Sequence, residues 1–191
     1  MDFIKNFTDL FCPLSLDSLT KFKELMNLKK LQKGVILCDL NEVPSNFFIL
    51  KSGIVRAFII DEKGKERTRT LFTPISTTGS LRALILNEPS TSTYECLTDC
   101  EIYEGNFSHF IALTKTNHEF SQFYNKILEK IFIVVEKRIT ELSTLDATER
   151  YLKLKNDVPN IDNLIQQYHI ASYLNITPVQ LSRIRKEIYS K

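Results

Sequence analysis

Apolar positions along this 191-residue chain change period twice, and each change marks a change of structure. Near the start, Leu10 and Phe11, then Leu16, Leu19, Phe22, Leu25 and Met26, follow helical spacing, so residues 1–26 are predicted helical, with Ser15 or Asp17 capping the second piece. From Leu28 to about Leu97 the pattern becomes that of short strands: 33–37, 47–51, 54–60, 66–72 and 93–97, with 101–104 to follow. Ser52-Gly53 reads as a turn, and Asp61-Glu62-Lys63-Gly64 closes a hairpin between 54–60 and 66–72. Many short strands with glycine-containing turns predict an antiparallel barrel or roll.

Beyond it a helical stripe runs from Asn117 to about Leu142, which at 1.5 Å per residue gives a helix of about 39 Å. The stretch 131–135 is apolar all round, so two faces must be covered at once. One is expected to lie on the roll and the other on a second copy of the helix, with Phe120, Phe123, Tyr124, Ile127, Ile131, Val134 and Val135 as the dimer-helix positions. Residues 145–155 predict one more helix, stopped near Asn156 and Pro159.

The C-terminal run 170–186 carries the most specific local chemistry. Thr177 can cap a helix whose first position is Pro178, where no amide proton is needed. Asn175 stands where a left-handed residue would turn the chain sharply between two short helices. This is a helix-turn-helix pattern, the arrangement that lays its second helix in the DNA major groove. Leu181, Ile184 and Ile188 fall on its inner side, while Val179, Ser182, Arg183 and Lys186 fall on the outer side and Arg185 on the flank. Arg183 offers the two parallel donors that match a guanine edge; Lys186, Arg185, Ser182 and Thr177 suit phosphate oxygens. The candidate DNA-binding set is therefore Thr177, Val179, Gln180, Ser182, Arg183, Arg185 and Lys186.

Composition narrows the class. With 43% hydrophobic and 25% charged residues the chain is an ordinary globular one, and its net charge of +2 excludes a polycation that coats nucleic acid indiscriminately. Residues 144–191 hold seven basic and five acidic side chains, so the excess sits at the C-terminal end. No apolar run is long enough to span a membrane and the N-terminus lacks a signal-peptide pattern, so a cytoplasmic protein is expected. Cys12, Cys38, Cys96 and Cys100 read as reduced thiols; the spacing of Cys96 and Cys100 would suit a metal, but no nearby Cys or His completes a set. The histidines at 109, 118 and 169 lie in unrelated contexts and no nucleophile-elbow, zinc-protease or phosphate-loop motif is present, which argues against an enzyme. No metal or other cofactor is expected.

The order of these parts, together with Glu149-Arg150-Tyr151, the run from Ile170 to Lys186 and the turn Lys51-Ser52-Gly53-Ile54-Val55-Arg56, resembles the Crp/Fnr family of bacterial transcription regulators. The resemblance covers nearly the whole chain. It implies an α+β fold: an antiparallel, cyclic-nucleotide-binding-like β-roll over 1–115, a long dimerisation helix over 116–143, and a helix-turn-helix, winged-helix-like domain over 144–191. It further implies a homodimer that reads near-palindromic double-stranded DNA, with RNA polymerase as a partner and a small-molecule effector in the roll. The effector residues would be Gly79, Ser80, Arg82, Ser90, Thr91 and Ser92.

Two departures from the family's pattern matter. Members that bind cyclic AMP carry a Gly-Glu pair for the ribose and an Arg before Ser/Thr for the phosphate; here Gly79 precedes Ser80, and the run 90–93 has no preceding Arg. Only Arg82 is nearby, so cyclic-nucleotide binding is not expected, and neither an iron–sulfur nor a haem site is indicated. In the reader, Pro178-Val179 replaces an Arg-Glu pair, which leaves Arg183 as the matching base contact and implies a different target. The few residues after this helix, up to Lys191, leave little room for a wing hairpin. The alternative is a dimeric roll that binds a ligand or protein and no longer reads DNA.

Overall fold

Asp2 and Ser15 each accept a hydrogen bond from a backbone amide three residues on, and at each a helix begins. These are α1 (Phe3–Asp9) and α2 (Leu16–Leu25) of the computed structural model, which describes residues 2–189. Met1, Ser190 and Lys191, the last two assigned above to the C-terminal segment, lie outside the described residues. Leu10 and Leu16 are exposed; Leu19, Phe22 and Met26 supply the buried stripe.

The strands are β1 (Met26–Leu31), β2 (Ile36–Cys38), β3 (Asn46–Ser52), β4 (Val55–Ile60), β5 (Glu66–Phe72), β6 (Ser76–Thr78), β7 (Thr93–Cys96) and β8 (Cys100–Asn106). They form two antiparallel four-stranded sheets, in the orders β1-β8-β3-β6 and β2-β7-β4-β5. The predicted β4–β5 hairpin is present, its turn held by the Asp61 carboxylate, which accepts from the amides of Lys63 and Lys65. Ser52-Gly53 does not close a hairpin: it carries the chain from one sheet to the other. Gly53 has φ +94°, and a Cβ there would lie 2.5 Å from Asp99 O and Cys100 Sγ, so no larger residue fits this corner.

Two helices interrupt the strand pattern where none was expected. α3 (Leu81–Leu86) lies between β6 and β7 and ends on the left-handed Asn87, and α4 (Phe107–Thr116) follows β8 behind an Asn106 cap. α5 (His118–Thr144) is the long helix, about 40 Å by its 27 residues. Then come α6 (Ala147–Asp157), α7 (Ile161–Leu164), α8 (Gln167–Tyr173) and α9 (Pro178–Tyr189). Among the described residues no helix is long and apolar enough to cross a membrane.

The packing corrects the expected role of α5. Phe120 and Phe123 are fully buried and Ile127 nearly so, in one core with Ile4, Phe7, Phe22, Ile49 and Phe110; Tyr124 and Ile131 pack against it. Rings of Phe7, Phe11, Phe22 and Phe110 meet Phe123 at steep angles, centroids 5.3–6.4 Å apart. Three of the seven positions assigned to a dimer seam are thus buried in the chain's own core and two more are partly buried against it, because α1, α2 and α4 wrap the first half of the helix. Val134 and Val135 remain exposed, joined by Phe132, Ile133, Ile139 and Leu142.

Candidate nucleic-acid interface

The reader is built on a core shared with the roll. Tyr151 and Leu154 of α6, Ile161, Ile170 and Leu174, and Leu181 and Ile184 of α9 are buried together with Ile54 and Leu97 of the roll. α6 starts on a reciprocal cap in which Asp146 accepts from the Glu149 amide and Glu149 accepts from the Asp146 amide. The buried Tyr151 hydroxyl donates to Asp162 at 2.6 Å, which fixes α7 to α6; burial first, then that carboxylate, pushes its ionisation far up. α8 lies against β5, where Ser172 Oγ accepts from the Thr68 amide at 2.8 Å.

The turn between α8 and α9 is the one predicted. Asn175 has φ +57°, and α9 opens on Pro178 behind Thr177. Thr177 Oγ1 accepts from the Gln180 amide at 3.2 Å, while Gln180 Oε1 accepts from the Thr177 amide at 2.9 Å. These bonds satisfy donors that a helix start leaves open. Leu181 and Ile184 are buried, Ile188 partly so, and Val179, Ser182, Arg183 and Lys186 are exposed on the opposite side.

Among the seven predicted DNA-binding side chains, Thr177, Gln180 and Arg185 make bonds that help to hold the fold. Thr177 and Gln180 hold each other in the cap. Arg185 turns inward, its Nε 3.8 Å from the Asp162 carboxylate, and half-buried rather than on an open flank. Asp162 lies 23 residues earlier, a partner that helical periodicity cannot reveal. The outward set is Val179, Ser182, Arg183 and Lys186. Arg183 also borders a shallow groove of about 310 Å3 between α9 and the start of α6, lined further by Gln180, Glu187 and Asp146.

On the effector side, the six predicted residues divide between the interior of the roll and its surface. Ser80, Ser90 and Ser92 are buried: Ser90 Oγ lies 2.9 Å from Ser80 Oγ and donates to the Ser92 carbonyl at 2.7 Å, while the buried Ser92 hydroxyl meets no partner among the described residues. Thr91 is exposed, Gly79 has φ +127°, and Arg82 stands at the surface bonded to Glu88 at 2.9 Å. The buried Tyr94 phenol joins this cluster and accepts a bond from Arg69 at 3.1 Å, a cation the sequence did not connect with it.

The buried arginine of the roll is instead Arg56, 4% exposed. Val55 and Ala57 flank it in the roll's interior cores, so alternation puts Arg56 on the outer face of β4, beneath α8. Glu95 and Glu66 pair with it at 2.5 Å and 2.7 Å, and its guanidinium stacks 3.9 Å over Phe58. His169 of α8 is buried near this charge. Burial first, then the Arg56 and Lys33 charges, hold its pKa down to about 4. This interface between roll and reader was not legible in the sequence, since its partners are far apart along the chain. Cys96 and Cys100 are buried in the roll, where Cys100 Sγ donates to Thr98 O at 3.2 Å.

Residues 28–117 match the family of cyclic nucleotide-binding domains. No curated protein sequence matches the chain. Solved structures do. A protein described as a Crp/Fnr-family transcriptional regulator from Eubacterium rectale is 16% identical, covering 97% of this chain and 88% of that one, with a TM-score of 0.74. FixK2 of Bradyrhizobium japonicum is 13% identical over 86% and 85%, with a TM-score of 0.72. The c-di-GMP responsive global regulator CLP of Xanthomonas campestris is 14% identical over 92% of both chains, with a TM-score of 0.71. Residues 28–117 thus match the cyclic nucleotide-binding domain model, and the chain has the fold of the Crp/Fnr transcription regulators.

Proposed function

We propose that this protein is a sequence-specific DNA-binding transcription regulator that acts as a homodimer and does not take cyclic AMP. The observation that carries the reading is α9: a capped twelve-residue helix whose inner side is buried and whose outer side presents Val179, Ser182, Arg183 and Lys186. A major groove admits such a helix; Arg183 is suited to a guanine edge, Ser182 and Lys186 to phosphates, and Val179 to a thymine methyl.

The exposed apolar second half of α5 supports the dimer. Phe132 and Ile139 are 71% and 61% exposed, far more apolar surface than a lone helix leaves in water. A dimer paired along this half would read two half-sites one turn of DNA apart if its two α9 helices lie about 34 Å from each other. The roll's cations support the absence of cyclic-AMP binding, since a cyclic phosphate needs a fixed cation facing it: Arg56 is neutralised by Glu66 and Glu95, Arg82 is turned to Glu88 at the surface, and Arg69 is held by the Tyr94 phenol.

Selection of bound fragments from a genomic library at moderate salt tests this. The expected result is enrichment of a near-palindrome with half-sites one helical turn apart. Binding with no sequence preference would overturn the DNA-reading assignment.

A further inference from the structure

The place where the roll, α5 and the C-terminal helices meet holds a partly open cavity of about 160 Å3. Its wall takes Leu71 from the end of β5, Arg138 and Glu141 from α5, Arg150, Lys153 and Asp157 from α6, and Tyr173 from the end of α8. Arg150 and Lys153 lie three apart on one helix and so face the same way, as do Arg138 and Glu141. Three cations converge there on two carboxylates.

The pairing among them is incomplete. Glu141 lies 3.8 Å from Arg138 and 3.4 Å from Lys153, and so serves both. Arg150 gives its Nε and Nη1 protons to the carbonyls of Leu174 (3.3 Å) and Leu145 (2.5 Å), both neutral, and among the described residues no carboxylate pairs with it. Arg138 donates from Nη2 to the Tyr173 carbonyl and stacks 4.0 Å over the Tyr173 ring. Its Nε is buried and meets no acceptor among the described residues. A buried N–H without a partner has lost its bond to water and gained none in return, so such groups in a folded protein call for an explanation.

Size limits the ligand. The cavity has the volume of about five water molecules, well below the roughly 300 Å3 at which pockets for drug-sized molecules begin. One tetrahedral oxyanion fits this space. Donors reaching in from two helices suit a tetrahedral anion; a planar carboxylate is matched by a single guanidinium fork.

We propose that this cavity binds a phosphate group, as inorganic phosphate or as the terminal group of a small metabolite, through Arg138, Arg150 and Lys153. Bound there, the anion joins α5 to α6 and, through the Arg138–Tyr173 stack, to α8. The binding itself does not depend on the reading of DNA.

Isothermal titration of the full chain, in a buffer free of phosphate and sulfate, tests it with inorganic phosphate and separately with glycerol phosphate. Saturable binding of either, one per protomer, is expected, and the ligand that binds identifies the source. Lys153→Gln should weaken it about tenfold or more, and Arg138→Lys, which keeps the charge but removes the unpartnered Nε–H, should weaken it several-fold. Lys63→Gln in the β4–β5 turn should leave it unchanged. Should Lys153→Gln fail to show the parent's cooperative melting, Arg138→Lys carries the test. Binding of neither phosphate, or equal binding by the parent and the folded variants, would overturn the proposal.

Discussion

The two halves of α5 carry similar side chains and meet opposite fates. Phe120, Phe123 and Ile127 are enclosed by α1, α2 and α4 of the same chain, while Phe132, Val134 and Ile139, one to three turns further on, face outward. A helical stripe reports only that an apolar face needs a cover. Which surface covers it depends on what the rest of the fold brings alongside, and here that supply ends near Ile131. The second half of α5 therefore has the composition of a core and the exposure of a surface.

The sharpest way to break this contrast is to truncate one phenylalanine in each half. Phe123→Ala should destabilise the chain by about 3–5 kcal/mol, since it removes a fully buried ring and leaves a cavity. Phe132→Ala should change the stability of the protomer by less than about 0.5 kcal/mol. Chemical denaturation of each, at a concentration where the chain is monomeric, reads the difference. Equal losses would mean that the two halves are not distinct. The complementary substitution is Ile139→Asp, which puts a charge on the outward face. It should raise the dimer dissociation constant by about two orders of magnitude or more, read by sedimentation, with circular dichroism unchanged.

Inward and outward groups divide α8 and α9 in the same manner, and His169 is the inward titrating one. Folded, it stays neutral down to about pH 4; unfolded, it takes a proton near its ordinary value of about 6.5. Between those values the unfolded chain binds more protons. The His169 contribution is therefore whole above about pH 6.5 and is lost as pH falls toward 4, by at most about 1.4 kcal/mol per pH unit. His169→Gln should flatten that part of a stability profile; an unchanged slope would show that the docked face does not bury the ring.

The smallest effect concerns the closed side of the roll. Ser90→Ala removes the bonds to Ser80 and Ser92 and should cost about 1–2 kcal/mol in thermal or urea unfolding. It should not create cyclic-AMP binding by calorimetry, because no cation is freed. Micromolar binding by either the parent or the variant would contradict the closed-cluster account.

What was legible in the sequence follows the range of the interactions. Thr177, Pro178 and Asn175 announce the α8–α9 turn because capping and left-handed turns are settled within four residues. The β4–β5 hairpin was legible for the same reason. The partners Arg185–Asp162, Arg56–Glu95 and Thr68–Ser172 are not local, and with them went the knowledge that Arg185 turns inward and that the roll supports α8. α4 was missed although Asn106 caps it, because a short apolar run such as Phe107–Thr116 reads equally as strand or helix. That Ser80 and not a glutamate follows Gly79 is plain in the sequence, but only the structure brings Tyr94 and Arg69 to the serines.

The central claim is that the outward side of α9 reads base sequence, and paired titrations of Arg183→Ala and Lys186→Ala on a selected site test it most directly. Fluorescence anisotropy would compare each variant on that site and on sites with single base-pair changes, over a range of salt. Arg183→Ala should lose about 1–3 kcal/mol on the selected site and discriminate less at one position in each half-site; Lys186→Ala should weaken all sites evenly and lower the salt slope by about one. If Arg183→Ala weakens every site equally, or leaves binding unchanged, α9 is not the reading element and the account fails.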